Sequence, residues 1–374
     1  VARPLRFAAL IVHQLAGILL GALITVIGLT GSLIVFRHEL DGLLYPHLTQ
    51  VTPNPGQVGI EEVARAARAT LPDRRLHRLL VPQEPGDVWV ALMQGTSKNM
   101  TERYANVYVD PHSGRVLGVQ PQAHNLLSVA EQIHTTLLAG AGGEIAVGTA
   151  GIALIVLGVS GLLLWPGWRR WQTGVVLRRS TNPRIGHYDL HKLVGLLSAV
   201  LLVLTAASGA ALVFFEPVAA LLTAVTGELA EPEKVFSTPR GQPLPLDRLQ
   251  ATARTSLPGA QTISIFPARQ PTDPVRFRMR FASEIQPNGR SFVNLDAYSG
   301  AVLQVQSGLA EPFSAAFFSW AYSLHVGRYG GLITKVLYAL AGLAPAVLFW
   351  TGFSLWLDRL RRRQCHQVLL QKNR

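Results

Sequence analysis

Thiol chemistry is almost closed to this chain: its 374 residues include one cysteine, Cys365, close to the C-terminal end. A lone thiol closes no disulfide within the chain, and iron–sulfur clusters, which need several cysteine ligands, are effectively excluded. Hydrolytic signatures are missing too, with neither a His-Glu-x-x-His pattern nor a Ser/His/Asp arrangement to read. A Gly-x-Gly-x-x-Gly fingerprint is also absent, so the chain shows no flavin or nicotinamide domain of its own. Charge is scarce: Asp, Glu, Lys and Arg make up 15% of the residues against 49% hydrophobic ones, and the mean hydropathy is +0.27. That balance is odd for a purely soluble protein.

What the chain does have is segregation. Four apolar stretches, at about 8–36, 143–165, 192–215 and 332–357, can each supply the ~20 helical residues that cross a hydrocarbon core of about 30 Å. The first is too long for a signal-peptide core and lacks a small-residue cleavage pattern, so it reads as a retained helix. Two segments of ordinary soluble composition lie between the spans. The fold class expected is therefore an integral membrane α-helical protein with four transmembrane helices and two external α+β modules.

Basic residues set the orientation. Arg3 and Arg6 precede the first span, Arg169, Arg170, Arg178, Arg179 and Arg184 lie between the second and third, and Arg359, Arg361, Arg362 and Arg363 follow the fourth. All would be cytoplasmic, leaving both large segments outside. The net charge of +12 then reflects topology, and without a basic face on a soluble module no nucleic-acid partner is expected. The expected order is helix 1 (1–39), module 1 (40–130), helix 2 (131–166), a cytoplasmic loop (167–190), helix 3 (191–216), module 2 (217–315), helix 4 (316–358) and a cytoplasmic tail (359–374).

The two halves share a frame, which reads as an internal duplication. His13 precedes Gly31 by 18 positions, as His191 precedes Gly209; His134 precedes Trp165 by 31, as His325 precedes Trp356. "SGLLLW" (160–165) and "TGFSLW" (351–356) fall at the same offsets, and "VYVDPHSGRVLGV" (107–119) matches "VNLDAYSGAVLQV" (293–305). In the last pair, Asp and Ser cap a turn and Gly supplies a positive φ between two alternating strands, which is hairpin chemistry.

The histidines then fall at two depths, one from each half at each depth. His13 and His191 open helices 1 and 3 at the cytoplasmic end, with His187 one turn before His191 on the same face; His134 and His325 lie at the outer approaches of helices 2 and 4. A single histidine at a helix end commonly caps carbonyls or meets headgroups. Two depth-matched pairs are what a b-type haem wants, one imidazole on each side of its iron. Gly17, Gly21, Gly195 and "GAGG" (140–143) leave room for a porphyrin, and no Cys-x-x-Cys-His is present for covalent attachment. Four ligands split between two membrane faces do not make one tetrahedral zinc site. The repeat frame favours His191 over His187 as inner ligand, with His187 then capping a propionate. A straight helix of 31 residues would be about 46 Å long, which puts His134 and His325 near or above the outer interface unless the glycines at 140–143 and 330–331 break the helices and bring them inward. Trp320, Tyr322, Arg328 and Tyr329 are candidates to line a cleft outside the outer pair, although interfacial aromatics usually act as anchors.

"VHQLAG", "GLTGSLIVFRHELD", the paired hairpins, "SGLLLWP" and "HYDLHKLVG" together resemble the PepSY-associated transmembrane proteins, iron-regulated proteins of the bacterial inner membrane, over essentially the whole chain. Within them the chain looks closest to the FoxB-type siderophore reductases. The resemblance implies two b-type haems, held by His13 and His191 inside and by His134 and His325 outside. It also implies multi-pass insertion in the inner membrane with periplasmic PepSY-like modules, and electrons passing outward to a ferric siderophore whose iron is released as Fe(II). An unidentified donor, a quinol or a cytoplasmic reductase, would supply them. Two other readings stand beside this one. In the first, the PepSY modules inhibit a peptidase or sense a partner. In the second, the halves rock around an intact siderophore as a transporter; the spans lack the broken polar midplane that this needs.

Overall fold

A long apolar run in lipid must satisfy its backbone groups internally, and a helix does this within one segment. The computed structural model describes residues 3–97, 100–228 and 232–372, and the side chains of Arg3, Arg363, Cys365 and His366 lie outside what it describes. In chain order the helices are α1 (Arg3–Ile34), α2 (Arg37–Leu44), α3 (Pro46–Thr49), α4 (Ile60–Thr70), α5 (Met100–Arg103), α6 (Leu126–Thr136), α7 (Gly140–Leu164), α8 (Trp171–Val175), α9 (Pro183–Val213), α10 (Phe215–Thr226), α11 (Leu246–Ser256), α12 (Phe313–Val326) and α13 (Gly331–Lys372). The strands are β1 (Arg75–Leu80), β2 (Trp89–Gln94), β3 (Tyr104–Val109), β4 (Val116–Pro121), β5 (Gln261–Phe266), β6 (Val275–Arg280), β7 (Ser291–Leu295) and β8 (Val302–Gln306). They divide into two units, one of residues 1–35, 133–214 and 324–374, the other of 36–132 and 215–323.

The first unit holds four helices long and apolar enough to cross a membrane, within α1, α7, α9 and α13. α1 packs on α7 and α13, and α9 packs on the same two, so α1 and α9 stand diagonally across a bundle. Small residues set the approach, as is usual between membrane helices. A Cβ on Gly28 of α1 would meet the Gly342 carbonyl oxygen of α13 at 2.5 Å, and Ser32 Oγ donates to the Ala339 carbonyl at 2.8 Å.

Helices 2 and 4 of the sequence reading are each two helices. The first pair breaks where Leu137, Leu138 and Gly140 take φ of 50°, 58° and 59°; the second breaks between Gly327 and Gly331, both at φ 64°. Two successive leucines in the left-handed region cost of order 1–3 kcal/mol each. The third span begins at Pro183, inside the expected 167–190 loop, because Asn182 Oδ1 accepts from Arg184 N and starts the helix there. α10 is a further helix that the sequence reading left inside module 2.

The second unit is built on one antiparallel sheet of eight strands in the order β4-β3-β2-β1-β5-β6-β7-β8. The two modules therefore join edge to edge, Leu79 opposite Ile265 and Leu80 opposite Ser264. One face is apolar: Leu79, Ala91, Met93, Val107, Ile265, Phe277, Met279, Val293 and Leu295 pack under α4 and α11. Those two helices cap each other. Asp247 of α11 accepts from Ile60 N and Glu61 N at the start of α4, and Glu61 accepts from Leu246 N at the start of α11.

Each Asp-x-x-Ser-Gly segment is a turn between paired strands. Asp296 Oδ1 accepts from Tyr298 N and Ser299 N, and Oδ2 from Thr238 N; Gly300 follows at φ 73°. Burial opposes ionisation of Asp296, yet the backbone donors of Ser299, Thr238 and Tyr298 outweigh it and hold the carboxyl down at about 2. A carboxyl depressed on folding stabilises fully above its unfolded pKa and loses that contribution as pH falls through its folded one. The expected result is on the order of 2 kcal/mol of stability shed between about pH 4 and pH 2. Asp296→Asn should remove this acid-sensitive component from thermal unfolding curves of the full chain; a variant whose curves keep the wild-type pH dependence would show that Asp296 is not its source.

Candidate functional site

Histidine placed in an apolar bundle needs a partner for each ring nitrogen. His13 of α1 and His191 of α9 face each other across the bundle, ring centroids 6.1 Å apart and ring planes at 86°. His134 of α6 and His325 of α12 form a second pair, centroids 5.9 Å apart and planes at 45°. A metal–imidazole bond is about 2.0–2.1 Å and the ring centroid lies about 1.1 Å behind the nitrogen, so two rings on opposite sides of one ion stand about 6.3 Å apart. Both separations are close to that value.

The Nδ1 atoms are all engaged, in two matched ways. His13 Nδ1 lies 2.9 Å from Ser160 Oγ, and His191 Nδ1 lies 2.9 Å from Thr351 Oγ1. Each hydroxyl spends its own proton on a helix carbonyl, Ser160 on Val156 at 2.6 Å and Thr351 on Val347 at 2.7 Å. The hydroxyl oxygen therefore accepts, and the imidazole carries its proton on Nδ1. At the other pair the partners are carbonyls: His134 Nδ1 donates to Ile27 O at 2.8 Å and His325 Nδ1 to Thr205 O at 2.9 Å. A carbonyl can only accept, which fixes the same tautomer. All four rings thus keep Nε2 as the basic nitrogen, the arrangement of a metal-binding histidine oriented by a second partner.

Glycine makes the seats. A Cβ at Gly161 or Gly352 would stand 3.2 Å from Cε1 of His13 or His191, one at Gly31 would stand 2.9 Å from Cε1 of His134, and one at Gly209 would stand 2.6 Å from Cε1 of His325. Every ring rests on a glycine of its own half and faces a ring of the other half. The helix breaks matter here. They turn α6 and α12 back so that His134 lies beside Ile27 and Gly31, and His325 beside Thr205 and Gly209, within the last three turns of α1 and α9. A straight continuation of α7 or α13 would have carried these side chains beyond the spans.

A cavity of about 970 Å³ surrounds the first pair, and its wall includes Gly17, Gly21, Gly195, Arg178, Arg184 and Arg359. Asp189 lies beside it, receiving Arg178 through both Nε and Nη2 and Lys192 at 2.8 Å. His187 does not join His13. From its stretch the wall takes Tyr188, His191 and Lys192, while His187 Nδ1 is buried and, among the described residues, without a hydrogen-bond partner.

The four suggested cleft residues fall in different units. Trp320 and Tyr322 belong to the second, where Tyr322 OH accepts from Asn288 Nδ2 at 2.5 Å and Trp320 is exposed. Arg328 and Tyr329 belong to the first, where Tyr329 OH lies 3.4 Å from Tyr338 OH. What the sequence reading did not single out is the Ser160–Gly161 and Thr351–Gly352 dipeptides, each an orienting hydroxyl followed by a seat for the ring. Their signal was present: a small hydroxyl residue and a glycine at equal offsets opening "SGLLLW" and "TGFSLW".

Fold and site together define a class: a membrane protein of four apolar helices, carrying two pairs of facing histidines and a sheet-containing unit. Residues 10–359 match the PepSY-associated TM region, and the chain belongs to that family. It is also similar to an uncharacterized protein of Pseudomonas aeruginosa, 28% identical over 262 residues, a match that takes in 62% of this chain and 64% of that one. The chain thus spans just under two thirds of the length of that curated relative.

Proposed function

We propose that this protein is a di-haem oxidoreductase of the bacterial inner membrane that passes electrons to a ferric siderophore in the periplasm and releases Fe(II). The observation that carries this reading is the pair of facing histidine sites, both spaced for one ion and all four rings fixed in the tautomer that leaves Nε2 to bind. Among the described residues no three His, Cys, Asp or Glu side chains form a metal-holding group. Two protein ligands suit an iron whose remaining ligands come from a macrocycle, and the glycine seats and the 970 Å³ cavity suit a flat one. His13 and His191 would hold one b-type haem and His134 and His325 the other. Bound there, the haems would carry single electrons between the two ends of the bundle.

The chain's own part is to hold and tune. Ser160 and Thr351 keep the inner rings turned to the axis, and the Ile27 and Thr205 carbonyls do so for the outer rings. Arg184 and Arg359 would supply positive charge for haem carboxylates at the inner site, Arg178 being held by Asp189. The same end of the bundle carries the basic residues that favour the cytoplasmic side, which supports cytoplasmic termini and a periplasmic second unit. A quinol or a cytoplasmic reductase would donate. The equal spacings, paired seats and equivalent helix breaks support an origin by internal duplication. The regulatory reading, in which the sheet unit restrains a peptidase or senses a partner, leaves the two histidine pairs without a use.

The test is an optical spectrum with a haem-to-protein ratio on purified material. Two b-type haems per chain, with a Soret band and split α/β bands after dithionite, are expected, together with Fe(II) release from a ferric siderophore; a colourless, haem-free protein of native fold would sink the proposal. A finer result is expected from Ser160→Ala and Thr351→Val. Loss of an orienting partner should lower inner-haem affinity by about 10–100-fold and shift its midpoint potential without touching the outer haem. Unchanged haem retention and potential in both variants would show that these hydroxyls do not orient the ligands.

A further inference from the structure

The face of the sheet opposite α4 and α11 has its own chemistry. Along β6 the residues alternate so that Val275, Phe277 and Met279 enter the core while Arg276, Arg278 and Arg280 project from the other side. Across the seam between the modules, β1 contributes Arg78. The Arg78 and Arg278 guanidinium carbons stand 5.9 and 5.4 Å from the centroid of the Phe266 ring, and that of Arg276 stands 4.6 Å from the Phe292 ring. Three guanidinium groups from both modules thus gather around two phenylalanines, and Arg280 continues the row along β6.

Charge compensation is incomplete. Among the described residues no carboxylate oxygen comes within 4.0 Å of Arg78, Arg278 or Arg280; the nearby carboxylates Glu131 and Glu311 are taken by Arg37 and Arg290. Glu284 is spent on Ser291 Oγ and on the backbone of Phe281 and Arg290. The Nε atoms of Arg78 and Arg280 are buried and, among the described residues, have no hydrogen-bond partner. A buried unpaired donor on a charged group is expensive to keep. The mutual repulsion is felt as well. Burial, followed by Arg276, Arg78 and Arg290, lowers the Arg278 guanidinium from its ordinary value. Burial lowers Arg78 too, with Glu131 opposing, Arg37 adding and Tyr322 opposing.

The other half of the sheet shows that the architecture does not require this. At the matching positions of β2 stand Val90, Leu92 and Gln94, so positions that are uncharged in one module are arginine in the other. Arginine is the side chain suited to carboxylate, since its planar fork pairs with both oxygens at once.

We infer that Arg78, Arg276, Arg278 and Arg280, on the face of the sheet opposite α4 and α11, form a binding site for a polyanionic iron chelate bearing carboxylates. This rests on the siderophore-reductase reading for the identity of the ligand as an iron chelate, and it narrows that substrate to the anionic class. The seam between β1 and β5 is then part of the site, because it brings the first module's Arg78 to the second module's three arginines.

The experiment uses the full chain in nanodiscs of phosphatidylcholine and gallium(III) citrate as the probe, a redox-inert analogue whose binding needs no electron. Saturable binding is expected, weakening as ionic strength rises. Arg278→Gln and Arg78→Gln should each weaken it at least tenfold, with Arg278→Lys intermediate because it keeps the charge and loses the fork. The cationic gallium complex of desferrioxamine B should not compete. Circular dichroism and gel filtration check that each variant is folded, and a misfolded variant is replaced by competition of free citrate and tricarballylate against the probe in the wild type, where displacement is expected. Failure of wild type to bind the probe, equal affinity in all folded variants, or equal binding of the cationic complex would overturn the proposal. So would a finding that the variants lose only association with phosphatidylglycerol vesicles, which would make the arginines a lipid contact. The two readings fail separately: a haem-free protein that binds gallium citrate through these arginines removes the reductase reading, and a haem-loaded reductase that ignores the probe removes this site.

Discussion

His325→Ala is expected to purify with one haem per chain where two are expected of the wild type, and to reduce ferric siderophore no faster than background. The alanine would remove one of the two imidazoles that would hold the outer haem, and it leaves His134 facing an empty seat at Gly209. The opposite pair should be untouched, because His13 and His191 draw their partners from Ser160 and Thr351 and their seats from Gly161 and Gly352. The remaining haem should keep its spectrum and still be reduced by dithionite. His134→Ala should behave in the same way, and either variant retaining two haems would refute the assignment of the outer ligands. A converse outcome is also informative: if His191→Ala keeps the inner haem, the nitrogen must come from elsewhere, with His187 the first residue to test.

A methyl group in the wrong place should do nearly as much. Gly209→Ala puts a carbon 2.6 Å from Cε1 of His325 and Gly31→Ala puts one 2.9 Å from Cε1 of His134, whereas the Gly161 and Gly352 equivalents stand at 3.2 Å. Real Cβ atoms do not come within 3.0 Å of a neighbour, so at Gly209 the ligand ring or the helix has to move. Displacing a ligand ring is a loss of site geometry, worth 10–100-fold in affinity even when the first ligands survive. Gly209→Ala is therefore expected to show the largest loss of the outer haem, Gly31→Ala a smaller one, and Gly161→Ala or Gly352→Ala a modest change at the inner haem. Haem ratios from pyridine haemochrome spectra would rank them. A flat ranking across the four glycines would mean that the seats do not constrain the rings.

Much of this was open to view in the linear chain. Charge-free runs of membrane length are few in soluble proteins, so the spans declared themselves, and the equal spacings from His13 to Gly31 and from His191 to Gly209 marked a shared frame without showing that these glycines seat His134 and His325. The sequence also offered both routes for His134, a straight helix or one broken at glycine. It could not rank them, because the break falls on Leu137 and Leu138, residues that rarely take a positive φ and carry no turn signal. The joining of the two modules was hidden for a different reason. Strand patterns reveal which face is buried and say nothing about which edge meets which, and the β1–β5 seam is a pairing between residues about 185 positions apart. Ser160 and Thr351 stand in the repeated motifs with no sequence signal for a bond to histidine, since a hydroxyl in an apolar helix ordinarily bonds back to its own carbonyl. Both do that, and accept from a histidine as well.

The β1–β5 seam also bears on what half of this chain could do alone. A four-stranded piece ending on β1 or on β5 would show a row of bare amides and carbonyls, the kind of border that recruits another strand. Cut between Arg179 and Ser180, the N-terminal piece would hold one member of each histidine pair and one open border. Two copies could zip along that border, so the severed half should leave the membrane extract as a homodimer.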